Sequence, residues 1–368
     1  MKSAINNPAT PDPAEDKRWM RAALLQARYA LGQTAPNPAV GCVLVRDGRL
    51  VGRGQTSSGG RPHAETNAIQ DAGDLAQGAT AYVTLEPCSH HGQTPPCVDA
   101  IIQAGISRVV VAADDPDPRV AGQGYAKLRA AGIALTQGVM AAEAEDILSG
   151  YLTTRRLGRP QVTVKIASSL DGRIALANGQ SKWITGARTR HFVHLLRSQH
   201  DAMLTAMGTV RADDPSLTCR LPGHHGRQPL RVVAASQNTL SPESQLVQSQ
   251  DQGHVLVYAG QATTPLINSL ETVVLGAGGR PDPVLMLQDL ATRGITSVMV
   301  EAGGTFIASL LKKGLIDRLI WTRSAGLIGG DGLASMASLG LEDLSDGRIF
   351  KREDTRIIDD DVIEIFKA

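Results

Sequence analysis

Residues 80–97 read TAYVTLEPCSHHGQTPPC, and this stretch decides the fold of the first half of the chain. Its first part, TAYVTLE (80–86), is rich in β-branched and aromatic residues and predicts a buried strand. The strand ends at Pro87-Cys88, and a second cysteine, Cys97, stands just before a short predicted helix. Eight residues, 89–96, therefore separate two thiols that flank one loop.

Upstream of this stretch, the sequence HAE (63–65) opens a predicted helix. One histidine and two cysteines, His63, Cys88 and Cys97, can supply three ligands to Zn²⁺ and leave a fourth position open for water. The metal lowers the pKa of that water to ~7. Glu65 need not bind the metal and can carry a proton from the water to the substrate. This arrangement is that of zinc nucleobase deaminases.

Two alternatives exist for this metal site. His90 or His91 could be a fourth ligand of a closed structural zinc, or the two cysteines could be ordinary buried thiols. The order H-x-E, P-C and C is too specific for the second alternative. The eight-residue spacing is unusual, because nucleoside deaminases have two residues between these cysteines.

Outward from residues 80–97, strands alternate with helices, and the pattern occurs twice. Before residue 158 we predict helices over 14–31, 63–72, 98–104, 122–131 and 141–156, and strands over 41–45, 50–54, 80–86, 108–113 and 133–136. The pair Asp47-Gly48 predicts a hairpin. The pattern restarts at Pro160, so we expect two α/β domains, 1–157 and 158–368.

In the second half the same reasoning predicts helices over 189–198 and from Phe306, and strands over 161–167, 202–207, 229–235, 254–258 and 297–301.

The composition excludes several classes of function. The 368 residues include 37 Lys and Arg against 36 Asp and Glu, so the formal net charge of +1 gives no footprint for DNA or RNA. Aromatic residues make up 3% of the chain, which argues against base-stacking platforms. No apolar run approaches the roughly 18 residues that span a bilayer, so we expect no membrane partner.

Residues 1–16 lack the apolar core of a secretory signal and predict a short disordered arm. Four cysteines are too few to cross-link a chain of this length; besides Cys88 and Cys97 they are Cys42, on a predicted strand, and Cys219. We therefore expect reduced thiols and a cytoplasmic protein.

Four motifs in the first half carry a family resemblance: NPAVGCVLV (37–45), PHAE (62–65), PCSHHGQTPPC (87–97) and DPDPRVAGQG (115–124). They resemble the deaminase half of the bifunctional deaminase/reductase of riboflavin biosynthesis. The resemblance implies a cytidine-deaminase-like three-layer α/β/α fold. It also implies hydrolytic loss of the 2-amino group from 2,5-diamino-6-(5-phosphoribosylamino)pyrimidin-4-one.

The same resemblance implies that Asn37 and His90 contact the pyrimidine and that Asp115 lies on the substrate side of the pocket. An amide can donate and accept at a pyrimidine edge, but Asn37 could also be a simple turn residue before a proline. One position departs from the family. Position 93, which is usually basic in the family, is Gln93 here. Phosphate binding in this half therefore either lacks the expected cation or uses a cation at another position.

The second half contains neither G-x-G-x-x-G nor G-x-x-x-x-G-K-[ST]. It does contain a glycine turn, residues 301–305, between a predicted strand and a predicted helix. Backbone N–H groups at such a helix start form an anion site, and glycine lets a pyrophosphate approach closely. Gly-Gly is also common in such connections for turn geometry alone.

Five segments strengthen the functional interpretation: KIASSLDGRIA (165–175), SKWITG (181–186), LLRS (195–198), GTVRADDPSLTCR (208–220) and VEAGGT (300–305). They resemble the reductase half of the same family, which is related in fold to dihydrofolate reductase. The resemblance implies NADPH as the hydride donor and reduction of the ribosyl side chain to ribityl.

By position in these motifs, one set of residues is expected to touch substrate: Lys165, Ser181, Arg197, Leu217, Arg220 and Glu301. A second set is expected to touch NADPH: Ala167, Trp183, Thr209, Asp213, Ser236, Gly303, Gly304 and Thr305. Each has a structural alternative. Trp183 could be a core residue, Arg197 could lie on a solvated helix face, and Asp213 could cap a turn.

Two departures from the reductase pattern stand at Ala235, where the family has an acid, and at residues 323–326, RSAG. We interpret the chain as a bifunctional enzyme and expect a homo-oligomer. One alternative is a zinc deaminase of another pyrimidine or of tRNA with a non-catalytic C-terminal dimerisation module. Another is a regulatory nucleotide-binding protein with a closed structural zinc.

Overall fold

The structure, a computed structural model, describes residues 12–92, 94–118, 120–262, 267, 270–276 and 279–368. Residues 1–11 of the predicted arm and the departure at Gln93 lie outside these residues. The prediction of an arm is wrong for residues 13–16, which form the first turn of a helix capped by Asp12. The chain divides into two compact units, one ending at Arg156 and the next beginning at Leu157. No helix in the described ranges is both long enough and apolar enough to cross a bilayer.

The first unit is built on a five-stranded sheet with strand order β2-β1-β3-β4-β5. β1 is antiparallel to β2 and β3, whereas β3, β4 and β5 are parallel. Its described elements are α1 (Pro13–Ala30), β1 (Gly41–Arg46), β2 (Arg49–Gln55), α2 (Ala64–Ala72), β3 (Thr80–Leu85), α3 (Cys97–Gln103), β4 (Arg108–Ala113), α4 (Gln123–Ala130), β5 (Ala134–Thr136), α5 (Ala141–Ile147) and α6 (Ser149–Leu157).

Helices cover both faces of this sheet, as the expected three-layer α/β/α fold requires. A Cβ on Gly41 would overlap the backbone of α1, and one on Gly54 would overlap the backbone of α2. Gly54 pairs with Cys42, the residue after Gly41, and successive residues of a strand point to opposite faces. The two glycines therefore lie on opposite faces of the hairpin. With both faces covered, β1 is buried from Gly41 to Val45 and carries a continuous apolar run.

The local predictions for this unit hold with small shifts at element ends. The Asp47-Gly48 hairpin is confirmed, with both residues at positive φ, 52° and 71°. The helix expected over 141–156 is instead two helices, α5 and α6, separated at Leu148. Beside this break the Ser149 hydroxyl donates to the Asp146 carbonyl at 2.6 Å, a contact of the kind that bends helices.

The second unit has a nine-stranded sheet with order β11-β10-β9-β8-β12-β6-β13-β16-β15. The strands from β11 to β13 are parallel, and β16 and β15 add an antiparallel edge. Its described elements are β6 (Gln161–Ser168), β7 (Arg173–Ala175), α7 (Ala187–Ser198), β8 (Ala202–Ala206), α8 (Met207–Asp213), β9 (Leu230–Ala235), α9 (Gln245–Gln248), β10 (Val255–Ala259), β11 (Glu271–Val274), α10 (Pro283–Thr292), β12 (Ser297–Val300), α11 (Gly304–Lys312), β13 (Arg318–Arg323), β14 (Leu333–Ala334), β15 (Lys351–Ile358) and β16 (Asp361–Lys367).

Two apolar clusters lie on the two faces of this sheet. Alternate residues of the parallel strands pack with α10 and α11 on one face, and the residues between them pack with α7, α8 and α9 on the other. The neighbouring residues Met203 and Leu204 of β8, for example, are both buried but belong to different clusters. The connections after β6, β8, β9 and β12 consequently meet at the carboxyl-terminal edge of the sheet, where α/β folds bind ligands.

Because each unit has its own sheet and its own core, we predict that the chain can be divided near Gly158. Residues 1–157, produced alone, are expected to fold and to bind zinc. Circular dichroism and metal analysis of the fragment test this. Recovery of the fragment only as unfolded aggregate, under conditions in which the whole chain folds, would contradict it.

Candidate active sites

The three proposed metal ligands come from three different elements of the first unit. His63 immediately precedes α2, Cys88 follows β3, and Cys97 is the first residue of α3. Their ligand atoms all lie within 4.8 Å of one another. The Nδ1 atom of His63 is 3.2 Å from Cys97 Sγ and 3.7 Å from Cys88 Sγ.

Backbone contacts close the long loop between the two cysteines. The N–H of Cys97 donates to Cys88 Sγ at 3.3 Å, and the N–H of Val98 donates to the Cys88 carbonyl at 3.2 Å. The Lys127 ammonium of α4 donates to the carbonyl of Ser89 at 2.6 Å. These contacts hold Cys97 next to Cys88, although eight residues separate them in sequence.

The electrostatics of this cluster suit a metal site. Hydrogen bonding from the Cys97 thiol lowers the pKa of Cys88 to about 4, against the opposing effect of burial. The thiolate is the form that binds metals. Glu65, in the first turn of α2, is buried, and burial raises the pKa of its carboxyl.

The donor set fits zinc and leaves room for a further ligand. One imidazole nitrogen and two thiolates are typical zinc ligands, and three protein ligands are typical of catalytic sites. Within the described ranges, no fourth His, Cys, Asp or Glu joins the set. The His91 side chain is 78% exposed, and its Nε2 atom lies 4.0 Å from a carboxylate oxygen of Asp99. His91 is therefore not the fourth ligand of a closed structural zinc site.

The three expected substrate contacts of this unit differ in their surroundings. The Asn37 amide donates to the Gly60 carbonyl at 2.8 Å. His90 is half-buried, and its buried Nδ1 has no partner among the described residues. The Asp115 carboxylate is buried and accepts hydrogen bonds from the Asp117 N–H at 2.9 Å and from the Tyr151 hydroxyl at 3.1 Å. Contacts of these three residues with substrate stay predictions.

Sequence reasoning missed two charged residues around this cluster. Arg61 donates to the Thr94 hydroxyl at 2.7 Å and so brings a positive charge to the 89–96 loop. Glu86 follows β3, and its carboxylate accepts from the N–H groups of Gly122 and Gly124, each at 3.1 Å. The position of Arg61, two residues before His63, was the available signal, whereas the partners of Glu86 are distant in sequence.

A cleft of about 1600 Å³ lies in the second unit, at the carboxyl-terminal edge of its sheet. Every residue predicted for the reductase site lines it: Lys165, Ala167, Ser181, Trp183, Arg197, Thr209, Asp213, Leu217, Arg220, Ser236, Glu301, Gly303, Gly304 and Thr305. The structure thus brings together residues from positions 165 to 305 of the sequence.

A partly buried ion pair forms one wall of the cleft. Arg197 of α7 donates through Nε and an Nη atom to both carboxylate oxygens of Glu301, at 2.8 and 3.0 Å. Burial opposes ionisation of Glu301, but Arg197 and Lys165 outweigh it and lower the pKa of the carboxyl to about 2. Burial lowers the pKa of Lys165, which stands beside both charges. Arg197 is therefore not on a solvated helix face.

The glycine turn joins β12 to α11, but its two glycines have different roles. Gly303 has φ −72° and donates its N–H to the Thr209 hydroxyl at 3.1 Å. A Cβ there would meet no atom within 4 Å. A Cβ on Gly304 would lie 2.9 Å from the Ser335 carbonyl oxygen and 3.0 Å from that of Ala334. Internal packing explains Gly304, while Gly303 leaves open space on the cleft side.

The loop before α7 carries two of the predicted cofactor and substrate residues. Trp183 is 67% exposed, and the Arg190 guanidinium lies 4.3 Å from its ring centre, so it is not a core residue. The Ser181 hydroxyl donates to the Asp213 carboxylate at 3.0 Å. This contact joins the loop to the end of α8.

The two departures from the reductase pattern are both held by backbone hydrogen bonds. The Ala235 carbonyl accepts from Gly260 N–H at 3.0 Å, at the end of β9. Ser324 N–H donates to the Ser168 carbonyl at 2.9 Å, and Leu170 N–H donates to the Gly326 carbonyl at 2.7 Å. The local backbone is therefore ordered without the family's usual side chains.

Comparisons with known proteins give matches to both halves of the chain. The model of the cytidine and deoxycytidylate deaminase zinc-binding region matches residues 13–113, and that of the RibD C-terminal domain matches residues 160–358. Riboflavin biosynthesis protein RibD of Escherichia coli (strain K12) is 42% identical over 360 residues, 95% of this chain and 98% of its own. RibD of Aquifex aeolicus (strain VF5) is 36% identical over 96% of this chain and 98% of its own. The chain belongs to the RibD family.

Solved RibD structures share the complete fold. Acinetobacter baumannii RibD, form 1, matches with a TM-score of 0.88 and 36% identity over 97% of this chain and 99% of its own. The RibD family makes this chain a bifunctional deaminase and reductase of riboflavin biosynthesis that uses zinc and NADPH. Its substrate is a phosphoribosylated pyrimidine.

The glycine turn yields a prediction with a matched pair of variants, Gly303→Val and Gly304→Val. Gly303→Val is expected to keep the fold and to weaken NADPH binding about tenfold or more, the effect of losing one or two hydrogen bonds to a charged group. Gly304→Val is expected to cost ~1–3 kcal/mol of stability through overpacking. Fluorescence titration with NADPH and thermal unfolding measure the two effects. Unchanged NADPH affinity in folded Gly303→Val would remove the turn from the cofactor site.

Proposed function

We propose that residues 1–157 carry out the deamination and residues 158–368 the reduction, with a division of roles among the side chains brought together in each half. In the first half, His63, Cys88 and Cys97 hold the metal. Bound zinc supplies a Lewis acid that lowers the pKa of a water ligand toward ~7. The observation that carries the proposal is the three-donor cluster with buried Glu65 two residues beyond its histidine.

Glu65 moves the protons of the deamination. Its carboxylate accepts a proton from the attacking water and delivers it to the pyrimidine ring nitrogen. It then accepts the proton of the newly added hydroxyl and delivers it to the 2-amino group, which leaves as ammonia while the C2 carbonyl forms. A buried carboxyl suits this role, because burial raises its pKa toward the working pH. Asn37 and His90 hold the pyrimidine edge, and the Nδ1 atom of His90, which has no partner within the described part of the chain, supplies a polar contact.

The substrate phosphate needs a cation in each half. In the first half we assign it to Arg61, whose guanidinium donates a hydrogen bond to Thr94 of the 89–96 loop. In the second half we assign it to Arg220, because Arg197 is already engaged with Glu301. Among the described residues, the Arg220 guanidinium donates only to the neutral hydroxyls of Ser216 and Thr218, while the backbone N–H of Arg220 donates to the ring of His194.

In the second half, bound NADPH supplies the hydride that reduces the ribosyl carbon. Lys165 donates a proton to the sugar oxygen as the hydride reaches the ribosyl carbon, and the Glu301 carboxylate, itself held by Arg197, attracts the Lys165 ammonium. The 303–305 turn, Thr209 and Trp183 hold the cofactor. The charged cleft in this half supports a catalytic role rather than that of a purely non-catalytic dimerisation module.

We also place the enzyme in the cytoplasm and expect a homo-oligomer. The four free cysteines support a reducing compartment. Three apolar side chains near the edge strand β15 support self-association: Leu344 is 97% exposed, Ile349 94% and Ile357 75%.

Glu65→Gln tests the assignment of the deaminase site. The amide keeps the size of the side chain but cannot carry a proton, so we expect deamination to fall ~10²–10⁴-fold. Product analysis with the diaminopyrimidinone substrate measures this loss. Zinc content and reduction of the pre-deaminated substrate are expected to be unchanged.

Asp74→Asn is the matched control, since it removes an exposed carboxylate just beyond the end of the same helix. It is expected to retain full deamination. An equal loss of deamination and reduction in Glu65→Gln would mean that the two sites are not separate as proposed.

A further inference from the structure

Two residues in the segment 214–220 of the reductase cleft have positive φ angles, which are unfavourable for residues that carry a Cβ atom. Leu217 has φ 55° although it is neither glycine nor asparagine, and it is 2% exposed. Asp214 likewise has φ 42°. Bulky residues occupy this region only where surrounding contacts hold them there, and such positions cluster at functional sites. The segment carries Leu217 and Arg220, both assigned above to substrate.

An arginine outside the expected site holds the residue before Leu217. Arg231 of β9 is fully buried, and one Nη atom donates to the Ser216 carbonyl at 3.2 Å and to the Ser249 hydroxyl at 2.7 Å. The other Nη atom donates to the carbonyls of Ser249, at 2.8 Å, and Gly253. The guanidinium therefore ties the 214–220 segment to residues 249–253.

These contacts are made at an electrostatic cost. Burial lowers the pKa of Arg231, and its buried Nε has no partner among the described residues. All four hydrogen bonds go to neutral oxygens. A buried charge without a hydrogen-bonded carboxylate is costly for folding, and the nearby Asp251 carboxylate only partly offsets the effect of burial.

The other end of the segment has its own supports. Arg197 donates to the Thr218 carbonyl at 3.0 Å, and the Gln228 amide exchanges hydrogen bonds with the backbone of Cys219 at 2.8 and 2.9 Å. Leu217 thus lies between two hydrogen-bonded carbonyl groups: Arg231 binds that of Ser216, and Arg197 binds that of Thr218. Arg231 holds the earlier one, Ser216, whose hydroxyl also accepts from Arg220.

We propose that Arg231 is a positioning residue of the reductase. It fixes the Ser216 carbonyl and so presents Leu217 and Arg220 to the phosphoribosyl substrate. The proposal rests on the function assigned to this cleft. Lysine cannot replace it, because the planar guanidinium serves three separated carbonyls and a hydroxyl, whereas an ammonium is a compact point charge.

The test uses the full-length enzyme with zinc bound and compares Arg231→Lys, Arg231→Met and Ser249→Ala with the wild type. Arg188→Met, which removes a 79% exposed arginine, is the control. The measured quantities are the reductase KM for the deaminated substrate, kcat, NADPH affinity by fluorescence, melting temperature and deamination rate.

We expect Arg231→Lys to raise the KM for substrate about ten- to hundredfold, the effect of losing hydrogen bonds to a charged group. Arg231→Met is expected to show a larger rise, and Ser249→Ala, which keeps the guanidinium, a smaller one. NADPH affinity is expected to stay within about twofold, since none of the residues assigned to the cofactor contacts Arg231. Deamination is expected to be unchanged.

An unchanged substrate KM in folded Arg231→Lys and Ser249→Ala would overturn the proposal. Parallel loss of NADPH and substrate binding in Ser249→Ala and Arg231→Lys would also overturn it, because it would show a general structural role. If both Arg231 variants fail to fold, the substrate KM and the NADPH affinity of Ser249→Ala alone test the proposal. A raised KM with unchanged NADPH affinity supports it, and either of the two results above overturns it. A wild-type enzyme that binds NADPH but reduces no substrate would refute the proposed function instead.

Discussion

The first half of the molecule depends on one constraint, that three chain segments meet within the reach of a single metal ion. His63, Cys88 and Cys97 come from the start of α2, the end of β3 and the start of α3, and their ligand atoms lie within 4.8 Å. The parallel β3–β4 core and the closed 89–96 loop fix those ends. Glu65 is buried beside the cluster because it lies in the first turn of the same helix that His63 begins.

In the second half, charge is organised in a comparable way around the Arg197–Glu301 pair. Arg197 joins α7 to the end of β12 and also holds the Thr218 carbonyl of the 214–220 segment. The pair brings two walls of the cleft together and places Lys165 beside a carboxylate that stays ionised. An ion pair with little exposure is weak evidence for stability, but here it orders the groups that we assign to the phosphorylated substrate.

The sequence predicted what local patterns determine. The Asp47-Gly48 hairpin, most of the buried strands and the metal ligands follow from turn chemistry, apolar runs and motif order. The partly buried strands β13 and β16 were not predicted. The charged, exposed strand β15 was missed because its pairing with β16, rather than an apolar pattern, defines it. The contrast between Gly303 and Gly304, and the contacts of Arg231, depend on carbonyls distant in sequence, so no local pattern could have revealed them.

The most direct test of the account is the coordination of zinc in the purified full-length protein. Metal analysis and X-ray absorption at the zinc edge are expected to give about one zinc per chain, bound by one imidazole nitrogen, two sulfurs and one light, non-protein ligand. His63→Ala is expected to lose the metal. A protein without zinc after gentle purification, or zinc with four protein ligands, would contradict the central claim that this cluster is an open catalytic site.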